Sequence, residues 1–438
     1  MLSVHEARQR ILSHFSPLEA EYVTLEQAAG RVLAEEVAAR FDLPSFDNSS
    51  VDGFAVRAAE LAGADGGHPV QLPVIGDIPA GTQPSFTLGA GQAARIMTGA
   101  PLPAGADAVV MVEDTDCNGP GARLTGVAVP ENVSIYRASR AGENVRRRGS
   151  DLKTGQVVLF PGRLLRAQEI GMLAMLGLAN MRVYRKPRVA ILSTGDEIVP
   201  LGVPLTPGKI HDSNSYALTV LVARMGCEPI RLGVAADTHE AVREKFEAAI
   251  RAEADVIISS AGVSVGAFDY VRDVVEEGGA LDFWKVNMRP GKPLAFGDYR
   301  GVPFFGLPGN PVSAFVGFLV FVAPTLERLQ GLADQHQNGV ETELDSAEAD
   351  AQGAAMSVSV VGRLRVRAIL GEGVESDGRE SYLRASVRLE DGKYIARFPT
   401  NQSSGNLFSL VESNALLIIP SGVKSCPPGT EVEVWLLP

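Results

Sequence analysis

The chain has 438 residues, with 40 lysines and arginines against 52 aspartates and glutamates, a formal net charge of −12 at pH 7. Its hydrophobic fraction of 45% and charged fraction of 21% are typical of folded proteins, which excludes a wholly disordered chain. The acidic balance argues against a protein that coats nucleic acid, because phosphate neutralisation needs an excess of basic residues. At about 150 residues per domain, the length predicts about three domains.

The cysteines and the apolar stretches bear on the compartment. Cys117, Cys227 and Cys426 are far apart and form neither a metal-binding pair nor a disulfide framework, which favours a reducing compartment. The N-terminal residues MLSVHEARQR lack the apolar core of a signal peptide. The apolar stretch at 301–326 is interrupted by prolines, and its continuous part of about a dozen residues is too short for a membrane span. We therefore predict a soluble, cytoplasmic protein without a membrane segment.

The first third of the chain mixes helical and β patterns. A helix is predicted from the capping box formed by Ser3 and Glu6, and a second at about 25–37. From about 44 to 143, short β-rich runs alternate with Gly/Pro turns, which indicates a small β domain inserted into a helical one. Helical spacing returns at 166–178.

The most informative pattern runs from residue 186 to about 330. Helical stretches such as 240–251 separate four β-rich runs, and this alternation predicts a parallel, doubly wound sheet. The four runs are 189–193, 229–234, 256–260 and 302–306. A polar linker follows, and the chain then returns to strands and turns, which predicts a C-terminal β barrel or sandwich.

The predicted fold class is therefore multidomain α/β plus β. A helical linker domain at 1–45 and 144–185 is interrupted by a β-rich domain at 46–143. A doubly wound α/β domain at 186–332 and a β domain at 350–438 complete the chain.

Polar residues cluster after the strands of the predicted sheet, where ligands bind in open parallel sheets. The Gly- and Ser-rich turns at 260–266 and 307–313 expose N–H groups that suit a phosphate or another oxyanion. Glu197, Asp237 and Asp269 approach the same edge and together predict a Mg²⁺ site. The alternative is that Asp237 and Asp269 cap helices and that Glu197 is a solvated loop residue.

A basic turn lies near the same domain. Two prolines and a glycine fix the turn that carries Arg289 and Lys292, and such a rigid turn can bind an oxyanion at low ordering cost. An exposed hairpin with ordinary surface charges is the alternative. Lys285 is a further cation of this segment. The arginine triplet at 146–148 more often indicates a solvated face than a ligand contact.

One motif indicates a different chemistry. Gly262-x-Ser264-x-Gly266 follows a predicted strand and precedes a helix, as the nucleophile elbow of α/β-hydrolases does. A serine nucleophile needs a histidine base, and the only later histidine is His336 in the polar linker. A serine hydrolase that uses Ser264 is therefore the weaker alternative.

Taken together, these stretches resemble the MoeA family, the molybdopterin molybdenumtransferases that include the gephyrin E domain. The matching runs are FDNSSVDGFAV at 46–56, MTGA at 97–100, RRGSD at 147–151, STGDE at 193–197, the turn at 260–266 with Asp269, the turn at 289–293, and the run at 307–313. The resemblance implies an interrupted helical region, a molybdopterin-binding α/β domain and a β-barrel tail. It also implies a homodimer with its active site in a cleft between subunits.

The reaction that the resemblance implies takes adenylylated molybdopterin and molybdate, uses a divalent cation, usually Mg²⁺, and releases AMP. The resemblance implies metal binding and catalysis by Asp269, Asp237 and Glu197, activity-linked roles for Asp52, Thr98, Asp151 and Lys285, and contacts to substrate or molybdate by Gly262, Ser264, Arg289, Lys292, Pro308, Pro311, Ser313, Arg367 and Ser404. Molybdopterin adenylyltransferase and molybdopterin synthase are the implied protein partners. A non-catalytic molybdopterin-binding scaffold is a further alternative, since one relative in the family clusters receptors.

Overall fold

The computed structural model describes residues 1–118, 128–261, 268–332, 364–399 and 401–437. The chain divides into two compact units, a larger unit of Met1–Glu35 with Pro161–Pro438 and a smaller unit of Glu36–Phe160. Each unit has its own buried hydrophobic clusters. The smaller unit contains the residues predicted as a β-rich insertion and extends beyond them at both ends.

The larger unit begins with helix α1 (Val4–Leu12). The predicted capping box is present, because the Glu6 N–H donates to Ser3 Oγ at 3.2 Å and the Ser3 N–H donates to the Glu6 carboxylate at 2.8 Å. Strand β1 (Ala20–Thr24) and the short helix α2 (Leu25–Ala28) follow. The helix predicted at 25–37 ends at Ala28, since Ala29 with a ψ of 128° and Gly30 with a φ of 74° have left the helical conformation.

The smaller unit is built from β strands with two short 3₁₀ turns, Ala58–Leu61 and Val112–Asp114. Its strands are β2 (Val37–Ala38), β3 (Asn48–Ser49), β4 (Gly53–Val56), β5 (Val70–Ile78), β6 (Ala93–Ile96), β7 (Ala108–Met111), β8 (Asn132–Ile135), β9 (Val145–Arg146) and β10 (Val157–Leu159). Five of them form a sheet in the order β7-β4-β6-β5-β8. The other four pair antiparallel, β2 with β10 and β3 with β9.

The chain re-enters the larger unit through helix α3 (Ala167–Met175) and strand β11 (Asn180–Tyr184). Strand β11 pairs antiparallel with β1. At the start of α3, the carboxylate of Glu169 accepts hydrogen bonds from the guanidinium groups of Arg163 and Arg166.

An α/β domain follows, and its elements alternate as the sequence predicts. They are β12 (Arg188–Thr194), β13 (Ile198–Val199), β14 (Ile210–His211), α4 (Asn214–Arg224), β15 (Glu228–Ala235), α5 (His239–Arg251), β16 (Val256–Ser260), α6 (Phe268–Gly278), β17 (Gly279–Lys285), β18 (Met288–Arg289), β19 (Pro293–Tyr299), β20 (Val302–Leu307), α7 (Pro311–Gly317) and α8 (Ala323–Leu329). The sheet order is β15-β12-β16-β20-β19-β17. The four predicted strands pair parallel, and β19 and β17 extend the sheet antiparallel.

Helices cover both faces of this sheet. Along β12, Val189 and Ile191 belong to one buried cluster with residues of α1, α4 and the last helices. Ala190 and Leu192 alternate with them and belong to a second cluster with residues of α5 and α6. The doubly wound arrangement is thus confirmed, because alternate side chains of one strand fill two separate cores.

The helical run Pro311–Leu329 combines α7 and α8 through a π-helical turn at Phe318–Val322. In the part of the chain that the structure describes, it is the one helix long and apolar enough to cross a membrane by length and composition. Its most apolar stretch is 78% buried inside the protein, where it packs as a core helix.

The C-terminal part of the larger unit is a closed barrel. Its elements are β21 (Arg365–Leu370), β22 (Val374–Glu375), β23 (Glu380–Glu390), β24 (Lys393–Arg397), α9 (Phe408–Val411), β25 (Ala415–Ile419), β26 (Ser425–Cys426) and β27 (Glu431–Leu436). Five strands pair in the order β23-β24-β21-β27-β25, and β25 pairs again with β23. The tail is therefore a barrel rather than a sandwich. Strand β18 of the α/β domain pairs with β23 from outside the ring.

Candidate functional site

A cavity of about 1020 Å³ lies in the larger unit, at the carboxyl ends of the parallel strands. Loops after β12, β15 and β20 line it, together with the turn before β19 and residues of the barrel. The position is that of ligand sites in open α/β sheets. The predicted site residues that line this cavity are Glu197, Asp237, Arg289, Lys292, Pro308, Pro311, Ser313 and Ser404.

Glu197 and Asp237 form an acidic end of the cavity, after β12 and β15. The two loops hold each other, since the Asp196 N–H donates to the Asp237 carboxylate at 3.3 Å and the Asp237 N–H donates to the Asp196 carboxylate at 3.1 Å. Burial raises the pKa of Asp237, and the nearby charges of Asp196 and Glu197 raise it further, against the lowering by the Asp196 N–H. Asp237 does not cap α5, because Thr238 accepts the capping bond from the Ala241 N–H. The Asp237 side chain therefore lines the cavity, where the Asp196 N–H holds its carboxylate.

The donor set of the acidic end suits a hard cation. Among the side chains that the structure describes, no group of three or more His, Cys, Asp or Glu residues forms a metal site. Asp269 lies in α6, but its side chain is outside the described part, so the predicted trio is placed only at Glu197 and Asp237. A cation stabilises a carboxylate whose pKa is raised by neighbouring acids, as that of Asp237 is, and Mg²⁺ prefers such oxygen ligands. The residues present fit Mg²⁺.

Buried hydroxyl groups lie where β12 and β16 end. Ser193 Oγ donates to the Asp212 carboxylate at 3.0 Å and lies 3.0 Å from Ser260 Oγ. Asp212 also accepts from the N–H and the Oγ of Ser215 at the start of α4. Thr194 lines the cavity, and its buried Oγ1 has no hydrogen-bond partner in the described structure. The hydroxyl of Ser193 therefore connects the ends of β12 and β16, whereas that of Thr194 does not.

Arg289, Lys292, Arg379 and Arg384 form a basic end of the cavity. The Val286 N–H donates to the Lys292 carbonyl at 3.1 Å, which closes the turn that carries Arg289 and Lys292. Gly291 has a φ of 99°, a conformation that favours glycine. The turn therefore presents two cations on a defined backbone, as predicted from its prolines and glycine.

Arg384 is the most buried cation of the basic end, at 1% exposure. Its guanidinium donates to Ser409 Oγ at 3.0 Å and to the Ser403 carbonyl at 3.0 Å, both uncharged acceptors. Burial lowers the pKa of Arg384 to about 10, and the charge of Arg289 contributes to this lowering. In the described structure no carboxylate forms an ion pair with it. A buried cation without a counter-charge favours an anionic ligand.

The loop after β20 is fixed by side chains from both sides. Asn214 Nδ2 donates to the Gly309 carbonyl at 2.8 Å, and Asn310 Nδ2 donates to Ser404 Oγ at 2.9 Å. The Val312 N–H donates to the Ser404 carbonyl at 3.1 Å. Ser313 lies in the first turn of the following helix and lines the cavity. These contacts place a helix N-terminus beside the basic end, where it favours negative charge.

Sequence reasoning missed Arg379 and Arg384. Both lie at or beside β23, and an arginine in the apolar run YLRAS was the available signal, because a charged residue inside a buried strand needs a reason. The structure places the predicted Arg367 elsewhere, since its side chain is 66% exposed and pairs with Glu431 at 2.9 Å. Lys285 is exposed at the end of β17 and does not line this cavity.

Three predicted residues belong to the smaller unit. Asp52 accepts from the N–H of Thr98 at 2.7 Å and from its Oγ1 at 2.8 Å, which fixes both side chains. Asp151 pairs with Arg146 and accepts from Ser150 Oγ at 3.0 Å. The remaining pairs of the arginine triplet are Arg147 with Asp47 and Arg148 with Asp42. Each arginine of the triplet therefore has a counter-charge.

The predicted turn residues Gly262 and Ser264 lie outside the described residues, as does His336. The hydrolase alternative and the phosphate contacts assigned to this turn stay predictions.

Comparisons with known proteins cover the whole chain. Three family models match: the MoeA N-terminal region (domain I and II) at 2–177, a probable molybdopterin binding domain at 190–328 and the MoeA C-terminal region (domain IV) at 367–437. A molybdopterin molybdenumtransferase of Nostoc sp. is 40% identical over 97% of this chain and 90% of its own. Molybdopterin molybdenumtransferase 2 of Mycobacterium tuberculosis is 36% identical over 99% of both chains. The crystal structure of the molybdopterin biosynthesis MoeA protein from Pyrococcus horikoshii matches 100% of both chains with a TM-score of 0.77 at 30% identity.

Proposed function

The chain belongs to the MoeA family, and on that premise we propose that it is a molybdopterin molybdenumtransferase of molybdenum cofactor biosynthesis. It would insert molybdenum from molybdate into adenylylated molybdopterin with Mg²⁺-dependent release of AMP. The observation that carries the proposal is one cavity with a carboxylate end and a guanidinium end at the carboxyl edge of the sheet.

The acidic end and the basic end of the cavity lie at different strands along one edge of the sheet. The acidic residues follow β15 and β12, and the basic turn precedes β19, which lies three strands from β12. At about 4.8 Å between neighbouring strands, β19 lies about 14 Å from β12 in the sheet. This distance supports two subsites, with the phosphates of the adenylylated substrate towards the acidic end and molybdate at the basic end.

The chain's own residues supply binding and orientation in this proposal. Arg289, Lys292 and Ser313 bind oxygen atoms of molybdate or phosphate, and Arg384 adds a buried charge to the same end. The turn that contains Gly262 and Ser264 donates N–H and hydroxyl groups to substrate phosphate.

Glu197, Asp237 and Asp269 would hold the divalent cation. When bound, Mg²⁺ offsets the negative charge that develops as the bond between the pterin phosphate and AMP is cleaved. Asp237 is suited to this role because its carboxylate is free of the helix cap and crowded by other acids.

The central test is AMP release from adenylylated molybdopterin, molybdate and MgCl₂, followed by chromatography. We expect Asp237→Asn to reduce the rate by about 100-fold or more, since the charge stabilisation lost amounts to several kcal/mol. Asp391→Asn is the matched control, because Asp391 lies on a barrel turn outside the cavity and its φ of 49° is tolerated by Asn. The proposal would be contradicted if the protein with its wild-type sequence released no AMP above a protein-free control.

The assembly and the partners are part of the proposal. We expect a homodimer in the cytoplasm that contacts molybdopterin adenylyltransferase and molybdopterin synthase, without nucleic acid or membrane partners. Light scattering should give about twice the chain mass of 46.3 kDa. The mass of a single chain at micromolar concentration would contradict the dimer.

A further inference from the structure

The charges of the basic end are compensated unequally. Arg289, Lys292, Arg379 and Arg384 line the cavity, and within the described residues only Arg379 forms an ion pair with a carboxylate. That carboxylate belongs to Asp377, which does not line the cavity itself. One of the four cations, Arg379, is therefore paired with an acidic side chain that lies outside the cavity lining.

The pair of Asp377 and Arg379 has a defined geometry. Asp377 accepts from Arg379 Nε at 3.0 Å and from a second nitrogen of the same guanidinium, and also from the Arg379 backbone N–H at 3.1 Å. The remaining terminal nitrogen of Arg379 donates to the Met288 carbonyl at 3.2 Å. Met288 precedes Arg289 in β18, so the pair is attached to the basic turn.

The cations and Asp377 act on one another electrostatically. The hydrogen bonds from Arg379 lower the pKa of Asp377 to about 2 against the effect of burial, and the charge of Arg289 lowers it further. The same charge of Arg289 opposes the cationic form of Arg384. Asp377 is therefore the fixed negative charge within a group of mutually repelling guanidinium groups.

We propose that Asp377 is an internal counter-anion that competes with the bound oxoanion for Arg379 and thereby limits the affinity of the basic end. The inference rests on the proposed binding of molybdate there. In this arrangement Arg379 is a substrate-binding residue and Asp377 is the residue that positions it. A doubly charged oxoanion competes with a single carboxylate better than a singly charged ion does, so Asp377 also favours dianions.

A purely structural role makes the opposite prediction. If Asp377 only stabilised the turn before β23, its removal would loosen Arg379 and weaken anion binding. Under the proposal, removal of the competing charge strengthens anion binding, a gain that damage to the fold does not produce.

The test is calorimetric titration of the full chain with sodium molybdate. We expect Asp377→Asn to bind molybdate about two- to tenfold more tightly at low salt, since the pair is partly exposed and worth little in water. The gain should shrink at about 0.5 M salt because such charges are screened. Glu390→Gln is the matched control, because Glu390 pairs with Arg397 in the same barrel and neither residue lines the cavity.

Two further variants isolate the cause. In the Arg379→Gln background the added Asp377→Asn change should give no comparable gain, since the competition acts through Arg379. Asp377→Ser, which keeps a small polar group in the turn, should reproduce the gain if Asp377→Asn does not fold.

The outcomes separate this inference from the proposed reaction. Equal or weaker molybdate binding by folded Asp377→Asn and Asp377→Ser would overturn the inference, but it would not contradict the proposed release of AMP. No molybdate binding by the unchanged protein would overturn it together with the oxoanion site. A gain in affinity in a protein that releases no AMP would support the inference and contradict the reaction.

Discussion

Ser193 and Thr194 are neighbouring hydroxyl residues in opposite hydrogen-bonding situations. Ser193 contacts Asp212 and Ser260, whereas the buried Oγ1 of Thr194 has no partner in the described structure. A buried polar group without a hydrogen-bond partner lowers the free energy of unfolding by about 1–3 kcal/mol. Removing a group that does form hydrogen bonds leaves its partners unpaired. The free energy of unfolding should therefore respond with opposite sign at the two positions.

We expect Thr194→Val to leave the free energy of unfolding unchanged or raise it by about 1 kcal/mol, because it removes an unpaired hydroxyl and keeps the shape. Ser193→Ala should lower it by about 1–2 kcal/mol. Urea denaturation of both variants measures the difference. If Thr194→Val destabilised the protein as much as Ser193→Ala, the hydroxyl of Thr194 would have a partner.

At the residue scale, the sequence was informative where a side chain follows a strand. Glu197 and Asp237 could be predicted because parallel strands end at one edge, whatever the details of packing. Whether Asp237 capped a helix could not be predicted, since Thr238 stands next to it and competes for the same N–H group. The run YLRAS marks Arg384 as an unusual charge in an apolar strand, but its place in the cavity could not be predicted, because the barrel register decides where a side chain of β23 lies.

Among the elements, α3 depends on one buried carboxylate. Glu169 is 3% exposed and accepts hydrogen bonds from Arg163, Arg166 and the Arg166 N–H. Burial alone would raise the pKa of Glu169, but the two arginines and the backbone outweigh it and lower the pKa from 4.5 to about 2. A lowered pKa means that the stabilisation is present above about pH 4.5 and is lost as the pH falls towards 2.

We expect Glu169→Gln to lower the free energy of unfolding by about 2 kcal/mol at pH 7, and by far less near pH 2. Denaturant unfolding at a series of pH values measures the effect. Glu240→Gln is the control, because Glu240 lies in the first turn of α5 and is exposed. A deficit of equal size at both pH values would show that lost packing, rather than lost charge, is responsible.

The alternation of helical and β-rich stretches made the parallel strands predictable. Local turns limited the prediction of the other helices and strands. The four predicted runs of the α/β domain are strands, since apolar β-branched runs between helices leave little choice. The helix predicted at 25–37 is only four residues long. Its helical spacing of apolar residues continues past Gly30, but the backbone leaves the helical conformation before that residue. The antiparallel strands β17 and β19 flank the basic turn. The prolines and the glycine predicted this turn, but the strands on either side of it were not predicted.

For the whole molecule, the division into two units gives a testable boundary. Strands β2 and β10 pair at the two ends of the smaller unit, so its chain ends lie side by side. The unit also has its own buried clusters. We therefore expect a fragment of residues 36–160 to fold alone.

Circular dichroism should show β structure and a cooperative thermal transition for that fragment. A fragment of residues 46–143, which lacks β2, β9 and β10, should unfold at a lower temperature, because it loses two strand pairs. A gradual, non-cooperative transition of the longer fragment would contradict the expectation.

The net charge of −12 does not describe the cavity, where the acidic groups follow β12 and β15 and the basic groups lie on the turn before β19 and on the barrel. Composition could exclude a nucleic-acid coat, but it could not show this separation, because residues from distant parts of the chain create it. Arg289 and Arg384 are almost one hundred residues apart in sequence and share one electrostatic environment.

The closed barrel has a consequence for how the basic end tolerates change. Strand β23 is hydrogen-bonded to β25 over Ser381–Ala385, to β24 over Ser386–Glu390 and, from outside the ring, to β18 at Glu380 and Ser381. A shift by one residue would turn every side chain of β23 to the opposite face and would break pairing with several neighbours at once. The direction of Arg384 is therefore a property of the ring rather than of the adjacent residues. We therefore expect substitutions of the side chains around this arginine to leave its direction unchanged, whereas an inserted or deleted residue within β23 would remove it from the site.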